Sequence, residues 1–321
     1  MTDSLTVDDL DLKLVQALQL DGRAAFSTIA HALGVSSHTI ARRYRRLHSS
    51  AGLRILGRLG TPPVERPRWM VRLRCAPDAA LTIATALARR PDTSFIALVS
   101  GGTELICVTE SADDEAAESL LLRKLPRTPA IVSITAHRLL RTFYGGPDGW
   151  FTKINALTGA QAAALRPPVP SAGRPAEPDD LDKALLAELR KDGRASHVTL
   201  QAATRLSEPS VRRRLNRLRT TGTLYFDVQL DPGLLGYRSI ALLWLTTSPP
   251  ALEPVGKALA RHPEAAFVAA TTGSSNLVAA VVCPNADALY TYLTDRIAAL
   301  DGIQQVETAP VIHQVKQLEI Q

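Results

Sequence analysis

The strongest constraint on this chain is that it is written twice. The stretch "DDLDLKLVQALQLDGRAAFSTIA" at 8 to 30 returns as "DDLDKALLAELRKDGRASHVTLQ" at 179 to 201, with Asp11 matching Asp182 and Asp21 matching Asp192 at a constant offset of 171. Further on, "ARRPDTSFIALVSGGTEL" at 88 to 105 matches "ARHPEAAFVAATTGSSNL" at 260 to 277 at an offset of 172. A repeat held in register over this distance encodes a repeated structural unit. The length of 321 residues agrees, because one domain usually takes roughly 100 to 200.

Each half changes its hydrophobic period part-way. Leu10, Leu14, Val15 and Leu18 recur at helical spacing over 8 to 20, and "DGR" ends that helix. Ser27 is placed to cap a second, short helix through Leu33, "GVS" makes a turn, and a third helix runs from Ser37 to His48. "LRILGRL" after Gly52 reads as a strand or wing. Beyond it the pattern becomes β-like at 68 to 75, 94 to 99, 103 to 109 and 131 to 139, with helices in "DAALTIATALARR" and "DDEAAESLLLRKL".

The second half repeats this order, with strands near 238 to 246, 265 to 271, 276 to 282 and 303 to 313 and helices near 251 to 262 and 286 to 300. The order βαββαβ predicts an antiparallel sheet with helices on one face, a ferredoxin-like sandwich. The fold class is therefore α+β. Two winged helix-turn-helix domains are expected at 1–60 and 179–230, each followed by a ferredoxin-like domain, at 66–145 and 236–319. Residues 146–178 are expected to be a linker, since "RPPVPSAGRPAEP" has no periodicity, with a short helix opened by Thr158 inside it.

The third helix of each copy carries the chemistry. In "SHTIARRYRRL", Ile40, Tyr44 and Leu47 form one apolar stripe, so His38, Arg42 and Arg45 lie nearly opposite it, Thr39 and Arg46 to one side, and Arg43 on the flank. In "PSVRRRLNRL" the stripe is Val211, Leu215 and Leu218, leaving Arg213 outermost, Arg217 at the side and Arg214 on the flank. A short helix, a tight turn and a basic second helix suit entry into the major groove of double-stranded DNA. Arginine reads guanine edges or phosphates there, and short polar residues at the helix start approach the duplex closely.

The candidate DNA contacts are Ser36, Ser37, His38, Thr39, Arg42, Arg43, Arg45 and Arg46, with Ser207, Pro209, Ser210, Arg213 and Arg217 in the second copy. A solvated face, or a basic amphipathic helix on a membrane or RNA, is the plainer alternative. The compact helix pair upstream and the lack of exposed aromatics for lipid or base stacking argue against it. In the second copy Gln201, Thr204 and Arg205 replace Ala30, Leu33 and Gly34, which predicts a less regular turn and an altered or lost DNA contact.

A net charge of +6, contributed far more by arginine than by lysine, suits phosphate contact. The acidic start "MTDSLTVDDLDLKL" is unlike a signal peptide, and no apolar run reaches the roughly 18 residues of a membrane span, so the expected location is the cytoplasm, on the nucleoid. Cys75, Cys107 and Cys283 lie far apart and read as buried thiols. The seven histidines form no HxH or HExxH pattern, "GGPDG" at 145 to 149 reads as a turn, and His137 and His313 read as structural. No cofactor, metal or enzymatic activity is expected.

"LDLKLVQALQLDGR" followed by "IAHALGVSSHTIARRYRRL" resembles the Lrp/AsnC family of transcriptional regulators. So do "HPEAAFVAATTGSSNLVAAVVC" and "LYTYLTDRIAALDGIQQVETAPVIHQVK" in the second half, and the tandem arrangement departs from the single-copy pattern. The resemblance implies self-association through the ferredoxin-like domains and an amino-acid-like effector near a turn. That turn corresponds here to Ser100, Gly101 and Glu104 in the first copy and to Thr272, Gly273 and Asn276 in the second. A tight turn without a ligand is the competing reading. Two other functions are compatible with the fold: a siroheme-decarboxylase-like enzyme, and a metabolite sensor that does not bind DNA.

Overall fold

The computed structural model describes residues 7–60, 67–76, 78–90, 92–110, 119–147, 149–167 and 177–316. The chain forms two compact units that group like with like: residues 1–65 with 146–236, and residues 66–145 with 237–321. Each unit therefore takes one element set from each copy of the repeat.

In the first unit, the first copy supplies α1 (Asp9–Leu20), α2 (Phe26–Leu33), α3 (Ser37–Ser50) and β1 (Arg54–Leu59). Asp8 caps α1 in a reciprocal capping box with Asp11, and Ser36 caps α3 by accepting the Thr39 amide. The expected cap on α2 differs: the helix begins at Phe26 after Ala25, which gives no side-chain cap, so Ser27 lies within the first turn. Leu14, Leu18, Ile29, Ile40 and Leu47 are fully buried, the shared core of the three helices. Burying such a side chain contributes roughly 1.5–3 kcal/mol.

Residues of the expected linker are also part of this unit. Trp150 and Phe151 are buried, and α5 (Gly159–Leu165), numbered after α4 (Ala80–Ala88) of the other unit, opens with a Thr158–Gln161 capping box as the sequence predicts. Gln16 fastens this segment, donating to the Thr152 carbonyl at 2.9 Å and accepting from the Leu157 amide at 2.7 Å. The proline-rich stretch at 168–176 lies outside the described residues.

The second copy supplies α6 (Asp180–Lys191), α7 (His197–Thr204), α8 (Glu208–Thr220) and β6 (Leu224–Gln229). Strands β1 and β6 pair antiparallel, from Arg54 opposite Gln229 to Leu59 opposite Leu224, so the two wings form one ribbon. The repeated DGR motifs lock the copies together. Arg23 donates to the carbonyls of Gly193 (2.7 Å) and Ala195 (3.0 Å), and Arg194 donates to those of Gly22 (2.7 Å) and Ala24 (3.1 Å). Each aspartate folds the turn by accepting the amide two residues on, and a Cβ at Gly22 would come within 2.6 Å of Phe226. Only glycine lets the ribbon approach this closely.

The second unit holds both ferredoxin-like domains. The first has β2 (Arg68–Cys75), α4 (Ala80–Ala88), β3 (Thr93–Val99), β4 (Glu104–Glu110) and β5 (Ile131–Tyr144), with helical turns at Ser119–Lys124. The start of the helix expected at 113–125 lies outside the described residues. The second has β7 (Ser239–Thr247), α9 (Leu252–Arg261), β8 (Ala265–Thr271), β9 (Leu277–Cys283), α10 (Ala286–Thr291) and β10 (Ile303–Lys316).

Both sheets have the ferredoxin-like order, β3-β4-β2-β5 and β8-β9-β7-β10, and they join edge to edge through β5 with β8 and β10 with β3 into a closed barrel. Strand alternation then makes three cores. Val71, Leu73 and Cys75 of β2 point to the first domain's helices, and Ala241, Leu243 and Leu245 of β7 to the second's. The opposite faces, carrying Met70, Ile106, Leu242 and Trp244, bury each other between the sheets.

Candidate functional site

The apolar stripes fall as the periodicity requires: Ile40 and Leu47 are fully buried and Tyr44 half-buried in α3, and Val211, Leu215 and Leu218 are buried in α8. What remains outward is divided more finely than the sequence suggests. Arg42 and Arg45 are exposed, as are Ser36, Ser37 and His38, with Thr39 half-buried beside them. Arg45 folds back to the Ala41 carbonyl at 3.3 Å, and Arg42 makes no ion pair among the described residues.

Arg43 and Arg46 are committed elsewhere. Arg43 donates to both carboxylate oxygens of Asp8 at 2.6 Å and to Asp11 at 3.0 Å, and Arg46 donates to Asp11, whose side chain is fully buried. Two of the four arginines thus hold α3 against the acidic start of α1. The second copy repeats the arrangement: Arg214 donates to Asp179 at 2.7 Å and Asp182 at 2.9 Å, and Arg217 donates to Asp182. The Arg214 hydrogen bond holds the Asp179 carboxyl below its ordinary range. Arg43, Arg46 and Arg217 are therefore clamps between helices, a role the expected contact set does not include. The signal was present in the sequence, since the first acid and the flank arginine stand 35 residues apart in both copies.

Arg213 is exposed, with Ser207 and Pro209 exposed and Ser210 half-buried at the start of α8. Ser207 donates to Ser210 at 3.1 Å instead of capping the helix. The turn before α8 keeps its geometry despite its sequence. Gly34 ends α2 at φ +67°, and Arg205, at the matching position, ends α7 at φ +57°. The expected loss of regularity does not occur, because a left-handed non-glycine residue costs only roughly 1–2 kcal/mol.

The two effector turns are built differently. In the first, Ser100 and Gly101 have positive φ, and the Glu104 carboxylate accepts from Ser100 Oγ at 3.0 Å and Arg72 Nε at 2.7 Å. Arg72 also grips Glu307 through both terminal nitrogens, at 3.0 and 2.6 Å, and lies 4.8 Å from the Trp244 ring centre. Its hydrogen bonds hold the Glu307 carboxyl below the ordinary range against the opposing effect of burial. A cavity of about 340 Å³ opens here, bordered by Arg74, Ser100, Thr103, Glu104 and Glu307.

In the second turn the polar groups are consumed. Asn276 exchanges hydrogen bonds with the Thr247 backbone at 2.9 and 2.8 Å, and Thr272 bonds the Arg138 amide through its hydroxyl at 2.9 Å. The His137 ring nitrogen lies 2.7 Å from the Thr272 carbonyl, and a Cβ on Gly273 would meet that ring at 2.5 Å. All three cysteines are buried, and burial pushes the Cys107 thiol up to about 12. Among the described residues no cluster of three metal-ligating side chains occurs, and no helix is long and apolar enough to cross a membrane.

Comparison with known proteins agrees with this architecture. The AsnC-type helix-turn-helix domain matches residues 7–48 and 179–219, and the Lrp/AsnC ligand binding domain matches 240–320. The HTH-type transcriptional regulator FL11 of Pyrococcus furiosus is 28% identical over 135 residues, covering 42% of this chain and 89% of the relative. The HTH-type transcriptional regulator LrpA of Pyrococcus horikoshii is 24% identical over 139 residues, 43% of this chain and 99% of the relative. Among solved structures, the siroheme decarboxylase NirDL in co-complex with an iron-uroporphyrin III analogue superposes with a TM-score of 0.62 at 13% identity, covering 98% of this chain and 94% of that one. That likeness is one of fold. The chain belongs to the Lrp/AsnC family of helix-turn-helix transcriptional regulators and carries the family's DNA-binding domain twice.

Proposed function

We propose that the protein reads an asymmetric operator with two unequal recognition helices and answers to an amino-acid-like effector at the first of its two turns. The observation that carries the DNA reading is the division of labour on α3: Arg43 and Arg46 are tied to carboxylates, while Arg42 and Arg45 face solvent beside Ser36, Ser37 and His38. Arg42 and Arg45 contact base edges or phosphates, and Arg213 with Ser207, Pro209 and Ser210 makes a second, weaker contact. In a gel-shift titration against the protein's own promoter region, Arg42→Ala/Arg45→Ala should weaken binding and lower the salt slope by about one per phosphate contact. Undiminished binding rejects the assignment.

The effector is a zwitterion. Arg74 is exposed at the mouth of the first-turn cavity and makes no ion pair among the described residues, so it can take a carboxylate, while Glu104 and Glu307 can receive an ammonium group. The closed hydrogen bonding of Thr272 and Asn276, with the His137 ring close against Gly273, supports a structural role for the second turn. Amino-acid titration monitored by calorimetry, with Arg74→Ala expected to abolish and Asn276→Ala to spare the response, tests this. Exposed Leu140 and Ile312, equivalent positions 54% and 58% accessible, support further self-association through the ferredoxin-like domains. The protein acts by binding, on nucleoid DNA in the cytoplasm.

A second reading, a tetrapyrrole enzyme, is favoured by the near full-length likeness to NirDL. A coloured purified protein, or decarboxylation of added siroheme, would replace the regulatory reading with this one.

A further inference from the structure

The two helix-turn-helix copies differ at one slot, and the difference makes a cavity. In the first copy rings close it: Phe26 and Tyr44 pack with centroids 5.2 Å apart, and the Arg194 guanidinium lies 4.6 Å from the Phe26 ring and 5.5 Å from the Tyr44 ring. The reciprocal slot has Arg23 for Arg194, His197 for Phe26 and Leu215 for Tyr44. The smaller side chains leave a cavity of about 660 Å³ lined by Arg23, His197, Arg212, Arg213, Asn216 and Arg219.

Its charge is specific to this copy. Arg212 stands where the first copy has Ala41, and Arg219 where it has His48. Arg212 pairs with Glu208 at 2.8 Å and Arg219 with Asp21 at 2.8 Å, while Arg23 and Arg213 make no ion pair among the described residues, which leaves two guanidinium charges of the lining unpaired. Arg23 commits one hydrogen from each terminal nitrogen to the Gly193 and Ala195 carbonyls and keeps its remaining N–H groups. Burial first, then Arg194 and Arg219, draw its proton affinity below the ordinary arginine value, consistent with a crowded positive field.

We infer that this cavity binds a small organic phosphate, a phosphate monoester held as its dianion. Guanidinium forks match phosphate oxygens bidentately, and the dianion neutralises the surplus charge where a monocarboxylate would leave half of it. The volume lies within the roughly 300–1,000 Å³ of small-molecule sites. Leu215 gives the organic part an apolar wall. Glu208, Arg212 and Arg219 lie about 100–140° around α8 from Arg213, away from the face directed at a groove, and Asn216 lies between. Arg23, Arg212 and Arg219, off that face, make the occupant distinct from the duplex.

The experiment is calorimetric titration of the full-length protein with adenosine 5′-monophosphate, inorganic phosphate and adenosine, with and without a mixed-sequence DNA duplex. The two phosphates should bind saturably and adenosine should not. His197→Phe/Leu215→Tyr, which rebuilds the first copy's rings, should weaken binding at least about tenfold, and Arg212→Ala should do the same without touching the core. No phosphate binding, or binding that survives both variants, overturns the inference. So does loss of phosphate binding on adding the duplex, which would assign the arginines to the DNA backbone.

Discussion

Helices α3 and α8 bury equivalent stripes and clamp equivalent pairs of aspartates, Asp8 with Asp11 and Asp179 with Asp182, yet α3 turns Arg42 and Arg45 outward where α8 turns Arg213 and Asn216. The groups kept alike, the stripes and the clamps, hold each domain together, while the diverged positions include the exposed Asn216, His197 in the slot and the buried Asp227.

The largest effect should come from the outward residues. Arg42→Ala/Arg45→Ala is expected to cost about 2–4 kcal/mol of operator affinity, against about 1–2 kcal/mol for Arg213→Ala/Asn216→Ala. Equal losses in a quantitative gel shift would mean that the two copies read DNA equivalently, breaking the comparison. Next come the clamps, where the copies should behave alike. Asp11→Ala and Asp182→Ala each leave two arginines without their buried partner and should each destabilise the protein by about 3 kcal/mol in urea titration.

How much of this was legible in the sequence follows the same division. The stripes were readable because helical periodicity is local, and so were the βαββαβ order and the Thr158 cap. The ribbon of β1 with β6 was not, because pairing partners are set by tertiary contacts between copies. The repeated DGR was visible as a pattern, but its reach across to the other copy's carbonyls was not. The pairing of Arg43 and Arg46 with the acids of α1 was not read, because a helical wheel shows which way a side chain points and not what meets it there. Trp150 and Phe151 were a missed warning that residues after 146 are packed, since large aromatic residues rarely serve a solvated linker.

A smaller effect should expose an asymmetry within the ribbon. Asp227 sits where the first copy has Leu56, and burial pushes its carboxyl up to about 6, opposed by Arg58. Since the folded value lies above the unfolded one, the folded state binds the proton more readily between about pH 4 and 6. Stability from this group is therefore present at pH 4 and lost as pH rises through 6, by about 2–3 kcal/mol. Asp227→Asn should flatten that part of the stability profile, and an unchanged slope would show that Arg58 compensates the charge. The smallest effect concerns the turn: Arg205→Gly should stabilise the protein by about 0.5–1 kcal/mol, and Gly34→Arg should do the reverse. A destabilising Arg205→Gly would show that the arginine side chain earns its strained backbone.

Joining β5 to β8 and β10 to β3 in one polypeptide also changes how such a regulator responds to its own abundance. When two separate subunits must meet before they can bind, occupancy at low dose climbs with the square of their number. Here the encounter is already made along the chain, at an effective concentration set by covalent connection. If one chain binds without a second, promoter occupancy grows in simple proportion to copy number, a graded control that a few molecules per cell can exert.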